Sequence, residues 1–135
     1  MPHVVIQYTL NLEAQVDMPA LCRDVADTLI EQRDEKGGPL FPVGGTRVLA
    51  YPAQAWAVAD GKGDYGFCYI NIRLAAGRSD SKKKESGDAV LAKVQARFAS
   101  AFETRHVGVT LQIDESPGQV YDAKHSNLHP LFEGR

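Results

Sequence analysis

Apolar and polar residues alternate from His3 to Leu10, with Val4, Ile6, Tyr8 and Leu10 pointing one way and Val5, Gln7 and Thr9 the other. A period of two predicts a strand. Beyond it, Leu21, Val25, Thr28, Leu29 and Gln32 recur at helical spacing, predicting a helix from Met18 to Arg33. Asp17 suits its N-cap, and Pro19 suits a first turn whose N–H groups have no partner anyway. Asp34-Glu35-Lys36-Gly37-Gly38-Pro39 breaks it. Thr46 to Tyr51 reads as a second strand, stopped by Pro52. Asp60-Gly61 and Gly63-Asp64 punctuate a turn region. Tyr65 to Ala75 is the longest strand candidate: Cys68, Ile70, Ile72 and Leu74 form one face, Phe67, Tyr69, Asn71 and Arg73 the other, and Gly77 closes it. Ser79 or Ser81 caps a second helix whose stripe is Val90, Leu91, Val94, Phe98, Ala101 and Phe102, running to Thr104. Val107, Val109, Leu111 and Ile113 alternate with polar positions in a last strand. From Ser116 onward, Pro117, Gly118 and Pro130 predict a mostly irregular tail.

The order is β-α-β, link, β-α-β, and each half is long enough for a crossover between parallel strands. This predicts an α+β fold: a four-stranded sheet with two helices on one face. No sequence repeat links the halves. The other face carries Val5, Phe67 and Tyr69, which are costly to leave in water, so the pattern predicts self-association. The length, 135 residues, predicts one domain over 1–135.

Charge narrows the function. With 15 Lys+Arg against 17 Asp+Glu, the chain carries no field suited to nucleic acid or a membrane surface. Its start lacks a basic leader region and a small-residue cleavage site. No apolar run approaches the roughly 18 residues that span a bilayer, so a cytoplasmic protein is expected. Cys22 and Cys68 fall outside any CxxC pattern and read as buried free thiols.

Pro2 follows Met1 directly, and a side chain this small permits removal of the methionine. The freed terminus would be a secondary amine, one of few groups whose ordinary pKa lies near neutrality. Burial or neighbouring positive charge would make it a base at pH 7. By itself a Met-Pro start means only a processed terminus.

The surrounding residues add to this. Met1-Pro2-His3, Asp17-Met18-Pro19-Ala20-Leu21 and Phe41-Pro42-Val43-Gly44-Gly45-Thr46-Arg47 occur in that order. Ala59-Asp60-Gly61 with Asp64-Tyr65-Gly66-Phe67, Ala76-Gly77-Arg78-Ser79 and Asn127-Leu128-His129-Pro130-Leu131-Phe132 follow. Together they resemble the tautomerase superfamily, which includes 4-oxalocrotonate tautomerase and macrophage migration inhibitory factor. Within it, the 5-carboxymethyl-2-hydroxymuconate isomerase family is the nearest, over nearly the whole chain. The resemblance implies a homotrimer with a mixed four-stranded sheet in each subunit and active sites near the interfaces. It implies cofactor-free and metal-free isomerisation of a carboxylated dienol in aromatic catabolism. Pro2 would be the catalytic proton shuttle, and Arg47 and Arg78 would bind substrate carboxylate and stabilise charge on oxygen, roles suited to a planar, always-charged fork. Arg78 also precedes a helix N-terminus, which favours anions.

One position departs from this pattern. Family members often carry a second arginine two residues after the one matching Arg47; here it is Leu49. That admits a tautomerase of a different carboxylated dienol, and a non-catalytic trimeric binder of anionic metabolites is a further reading. His3 follows Pro2, points to the opposite face of the strand, and reads as a strand-edge or core-boundary histidine rather than a second base. His106, His125 and His129 lack metal-ligand spacing. Lys82-Lys83-Lys84 reads as a solvated first turn, Trp56 as a packing residue, and Gly44-Gly45 as a turn without phosphate-loop context.

Overall fold

The computed structural model describes residues 1–133. Strand β1 (His3–Thr9) lies parallel to β2 (Arg47–Ala53) and antiparallel to β3 (Gly66–Ala75). Strand β3 in turn lies parallel to β4 (Val107–Ser116), giving the sheet order β2-β1-β3-β4. Helices α1 (Met18–Ile30) and α2 (Asp80–Thr104) are the two crossovers and pack against each other over one sheet face.

The two periodicities meet in the core. Val4, Ile6 and Tyr8 of β1 and Cys68, Ile70, Ile72 and Leu74 of β3 are buried. Leu21, Val25 and Leu29 of α1 and Val90, Val94, Phe98 and Ala101 of α2 close over them. Burial pushes the Cys68 thiol up to about 12, while Cys22 is only half-buried; both are free. Asp17 caps α1 by accepting from the Ala20 N–H at 3.0 Å. Ser79, not Ser81, caps α2: its hydroxyl accepts from the Lys82 N–H and donates to Glu35. That second bond ties the start of α2 to the loop after α1.

Several predicted boundaries move, each for a local reason. Helix α1 stops at Ile30, not Arg33, because the chain folds back on itself. The Leu40 N–H donates to Gln32 O, the Asp34 N–H donates to Gly38 O, and Arg33 bridges Pro39. Strand β2 runs through Pro52 to Ala53, which an edge strand permits because its outer N–H groups need no partner. Leu10 lies outside β1, exposed at the start of a 3₁₀ turn, Leu10–Ala14. Phe102 is exposed on α2 and meets Phe98 edge-on, so it is not part of the buried stripe. In the tail, His129–Phe132 forms another 3₁₀ turn. It packs on the turn Val43–Gly45, where a Cβ on Gly44 would stand 3.0 Å from the His129 Cα. Glycine there permits the tail to dock.

The sheet's second face is open. Its register rows run from His3, Arg47 and Arg73 at one end, through Val5, Leu49 and Asn71, to Gln7, Tyr51 and Tyr69. Leu49 is 54 % exposed, Tyr51 50 % and Phe67 37 %. This is apolar surface that self-association would cover.

Candidate active site

The charged end of that face is built around the chain start. His3 heads β1 and pairs in register with Arg47 on one side and Arg73 on the other. The Arg47 N–H donates to the Pro2 carbonyl at 3.2 Å, which fixes the terminal residues against β2. Met1 then crosses over Gly45, where a Cβ would stand 3.2 Å from the Met1 nitrogen. Pro2 is buried directly behind Met1.

A cavity of about 480 Å³ opens here. Met1, His3, Pro42, Arg47, Arg73, Ala75 and Arg78 line it, and tail residues from Gln119 to Ser126, including Asp122, Lys124 and His125, strap across it. Two of the predicted residues, Arg47 and Arg78, thus share one cavity with the chain terminus. Pro2 is one residue short of the wall, covered by Met1.

The two arginines are held differently. Arg78 donates through Nε to Leu40 O and through Nη1 to Ala75 O, both at 3.1 Å, and its guanidinium lies 4.7 Å over the Phe41 ring. It is a fixed cation in a half-buried socket. Arg47 makes no side-chain hydrogen bond or ion pair among the described residues. Its guanidinium is available to a ligand. Helix α2 takes no part: none of its residues lines the cavity, and the Lys82 N–H is already taken by Ser79. The expected help from the helix N-terminus is therefore not realised.

The field is positive. Burial, then Arg47, Lys124 and Arg78, lower the Met1 α-amine below its ordinary 8.0, with Asp122 opposing. Burial, then the terminal amine, Arg47, Arg73 and Lys124, lower His3. An amine at this position is biased toward its neutral, basic form.

Arg73, Lys124 and His125 escaped sequence reasoning as site residues. Alternation put Arg73 on the open face, but only the antiparallel register sets it beside His3. The tail has no periodicity that could announce where it crosses. The remaining histidines do other work: His106 meets Tyr65 edge-on, and His129 packs on Gly44 beside Ser126. Lys82, Lys83 and Lys84 are each paired with a carboxylate. Among the described residues, no group of three or more His, Cys, Asp or Glu could hold a metal, and no helix is long and apolar enough to cross a membrane.

At the far end of the same face lies a second cavity of about 490 Å³, walled by Tyr51, Pro52, Trp56, Val58, Phe67 and Tyr69 among others. No charged side chain lines it.

Two β-α-β units in one mixed sheet, with a cationic cavity at the amino end, define the tautomerase fold class. The same architecture is seen in a fused 4-OT solved as a symmetric trimer, at TM-score 0.65 and 17 % identity over 99 % of this chain and 100 % of that one. The family model for 5-carboxymethyl-2-hydroxymuconate isomerase matches residues 2–132, and the chain belongs to that family. It is accordingly an isomerase. A crystal structure of a 5-carboxymethyl-2-hydroxymuconate delta-isomerase superposes at TM-score 0.93 with 46 % identity, over 98 % of this chain and 93 % of that one. The Escherichia coli 5-carboxymethyl-2-hydroxymuconate Delta-isomerase is 27 % identical over 98 % of this chain and all of its own length.

Proposed function

We propose that this chain isomerises 5-carboxymethyl-2-hydroxymuconate in aromatic catabolism, as a cofactor-free homotrimer of one domain per subunit, with Pro2, freed by removal of Met1, as the catalytic base. The single observation that carries this reading is the seating of the chain start in a cavity walled by Arg47 and Arg78. Two free cysteines support a reducing, cytoplasmic setting.

The Pro2 nitrogen takes the proton of the dienol hydroxyl, so the O–H bond breaks and a carbonyl forms. The electron pair moves along the conjugated system, and a distant carbon takes the same proton back. No proton or electron is gained or lost overall. One base serves both transfers because the substrate is held still between them. Arg78, fixed by two carbonyls and Phe41, is preorganised to meet negative charge as it develops on oxygen. Arg47, without a protein partner, binds a carboxylate bidentately. The positive surroundings keep the amine neutral before reaction, and they favour its return to neutrality after it. The exposed apolar rows of the sheet supply the trimer contact.

The test compares protein with Met1 removed and protein with Met1 retained, each verified by intact mass, in an ultraviolet assay with 5-carboxymethyl-2-hydroxymuconate. Turnover is expected only from the processed form, since the retained methionine makes the Pro2 nitrogen an amide. Equal turnover by both forms overturns Pro2 as the base. Absence of turnover by the processed form overturns the substrate.

A second reading has its own observation. Leu49 is exposed on β2, two residues after Arg47, and adds no charge there, which suits a dienol with fewer carboxylates.

A further inference from the structure

The row that begins the open face holds two guanidinium groups, Arg47 and Arg73, on either side of His3. Their backbones stand two strands apart, roughly 10 Å. The carboxylates that could neutralise Arg73 are engaged elsewhere. Asp114, opposite it on β4, accepts from Asn71 Nδ2 at 2.7 Å. Glu115 is paired with Lys83, and Asp122 with Lys124. Among the described residues Arg73 makes no side-chain hydrogen bond or ion pair, although it lines the cavity.

The strand register and the cavity lining give the layout. Arg47 stands on β2 beside His3, with its N–H on the Pro2 carbonyl, and Arg73 stands on the other side of His3, on β3. Arg78 lines the same cavity with Met1. Lys124 lines it too, with its own counter-ion, Asp122, at 3.1 Å. Arg73 is left as an unpaired cation on the β3 side of the cavity.

We propose that Arg73 is a specificity residue that binds the third carboxylate of the substrate, the carboxymethyl arm, while Arg47 and Arg78 hold the reacting part. This rests on the tricarboxylate reading above. A guanidinium without a protein partner loses none of its hydrogen bonds when it takes a carboxylate, and its fork geometry suits that ligand.

Direct binding tests this without turnover. Propane-1,2,3-tricarboxylate and glutarate, neither able to react, are titrated calorimetrically into processed wild type, Arg73→Ala, Arg73→Gln and Arg73→Lys. Loss of about ten-fold or more in affinity for the tricarboxylate is expected in the Ala and Gln variants, with glutarate within about two-fold and partial recovery in Lys. With substrate, Arg73→Gln should raise KM and spare kcat, the mark of uniform binding. Equal losses for both ligands, or none for either, overturn the proposal. A wild type that prefers the tricarboxylate through Arg73 but does not turn over the hydroxymuconate overturns the proposed reaction alone.

Discussion

The two ends of the open sheet face hold cavities of nearly the same size, about 480 and 490 Å³, and opposite chemistry. One gathers Arg47, Arg73, Arg78 and Lys124 around the chain start; the other is walled by Tyr51, Trp56, Phe67 and Tyr69 without a charge. Volume does not tell the two cavities apart. Charge does. Arg47 and Arg73 have no side-chain partner among the described residues and are free to take an anion. The apolar end offers surface to another apolar surface.

The largest effects should come from breaking the cationic end. Arg47→Ala and Arg78→Ala should each lower kcat/KM about a hundred-fold or more, since each removes a charge-assisted contact to the proposed substrate. Thermal unfolding tells them apart. Arg47 has no side-chain partner, so its loss should leave Tm unchanged. Arg78 holds Leu40 O and Ala75 O and covers Phe41, so its loss should also cost about 1–2 kcal/mol of stability. Equal Tm values for the two variants would mean that the Arg78 socket does not hold structure.

Breaking the apolar end should act on assembly first. Phe67→Asp places a charge beside Tyr51 and Trp56 and should weaken self-association by about 2 kcal/mol or more at each contact. Sedimentation equilibrium would show dissociation at concentrations where wild type stays assembled. Unchanged assembly would remove this face from the interface. Gly44→Val is a milder probe of the other end. Its side chain would collide with the His129 backbone, dislodge the tail and loosen the strap that bears Lys124. KM should rise several-fold, with unfolding of the core little changed.

Much of this was legible in the chain. Periods of two and 3.6 located every strand and both helices, because each element buries one face of a single core. Boundaries failed where a non-local partner decided them. Leu40 returning to Gln32 cut α1 short, and the edge position let β2 pass through Pro52. For the site, the resemblance supplied Arg47 and Arg78, and the fold brought them to the terminus. Arg73 could not be read as a site residue, because its meaning lies in the β1–β3 register and not in its spacing. The tail's part was hidden for a similar reason: residues 119–126 have no pattern of their own and are placed by the docking of His129–Phe132 on Gly44.

The pH profile sharpens the contrast within the cationic end. Burial, then Arg47, lowers the Met1 α-amine below its ordinary value, and the Pro2 amine proposed as the base would stand one residue away in the same positive surroundings. The rising limb of kcat/KM against pH should therefore lie below the ordinary amine range. In Arg47→Ala it should move to higher pH, because a positive neighbour that opposed protonation is gone. A limb that stays in place in Arg47→Ala would mean that burial and the other cations, not Arg47, set the amine.

The smallest expected effect belongs to His3, between the two arginines. Its folded value lies below the ordinary 6.5, by burial first and then by the positive groups around it. Above 6.5 the ring is neutral in folded and unfolded chains alike, and stability does not depend on it. As pH falls through 6.5 the unfolded chain takes up a proton that the folded chain resists, so stability declines until the folded value is passed. Because the side chain is largely exposed, solvent screening keeps the change small, about a degree in Tm at fixed protein concentration. His3→Gln should flatten that slope, and so should a saturating tricarboxylate, which supplies the counter-charge that the row of Arg47, His3 and Arg73 lacks. If ligand leaves the slope intact while His3→Gln removes it, the anion does not sit at this end of the cavity, and the unpaired guanidinium of Arg73 needs another occupant.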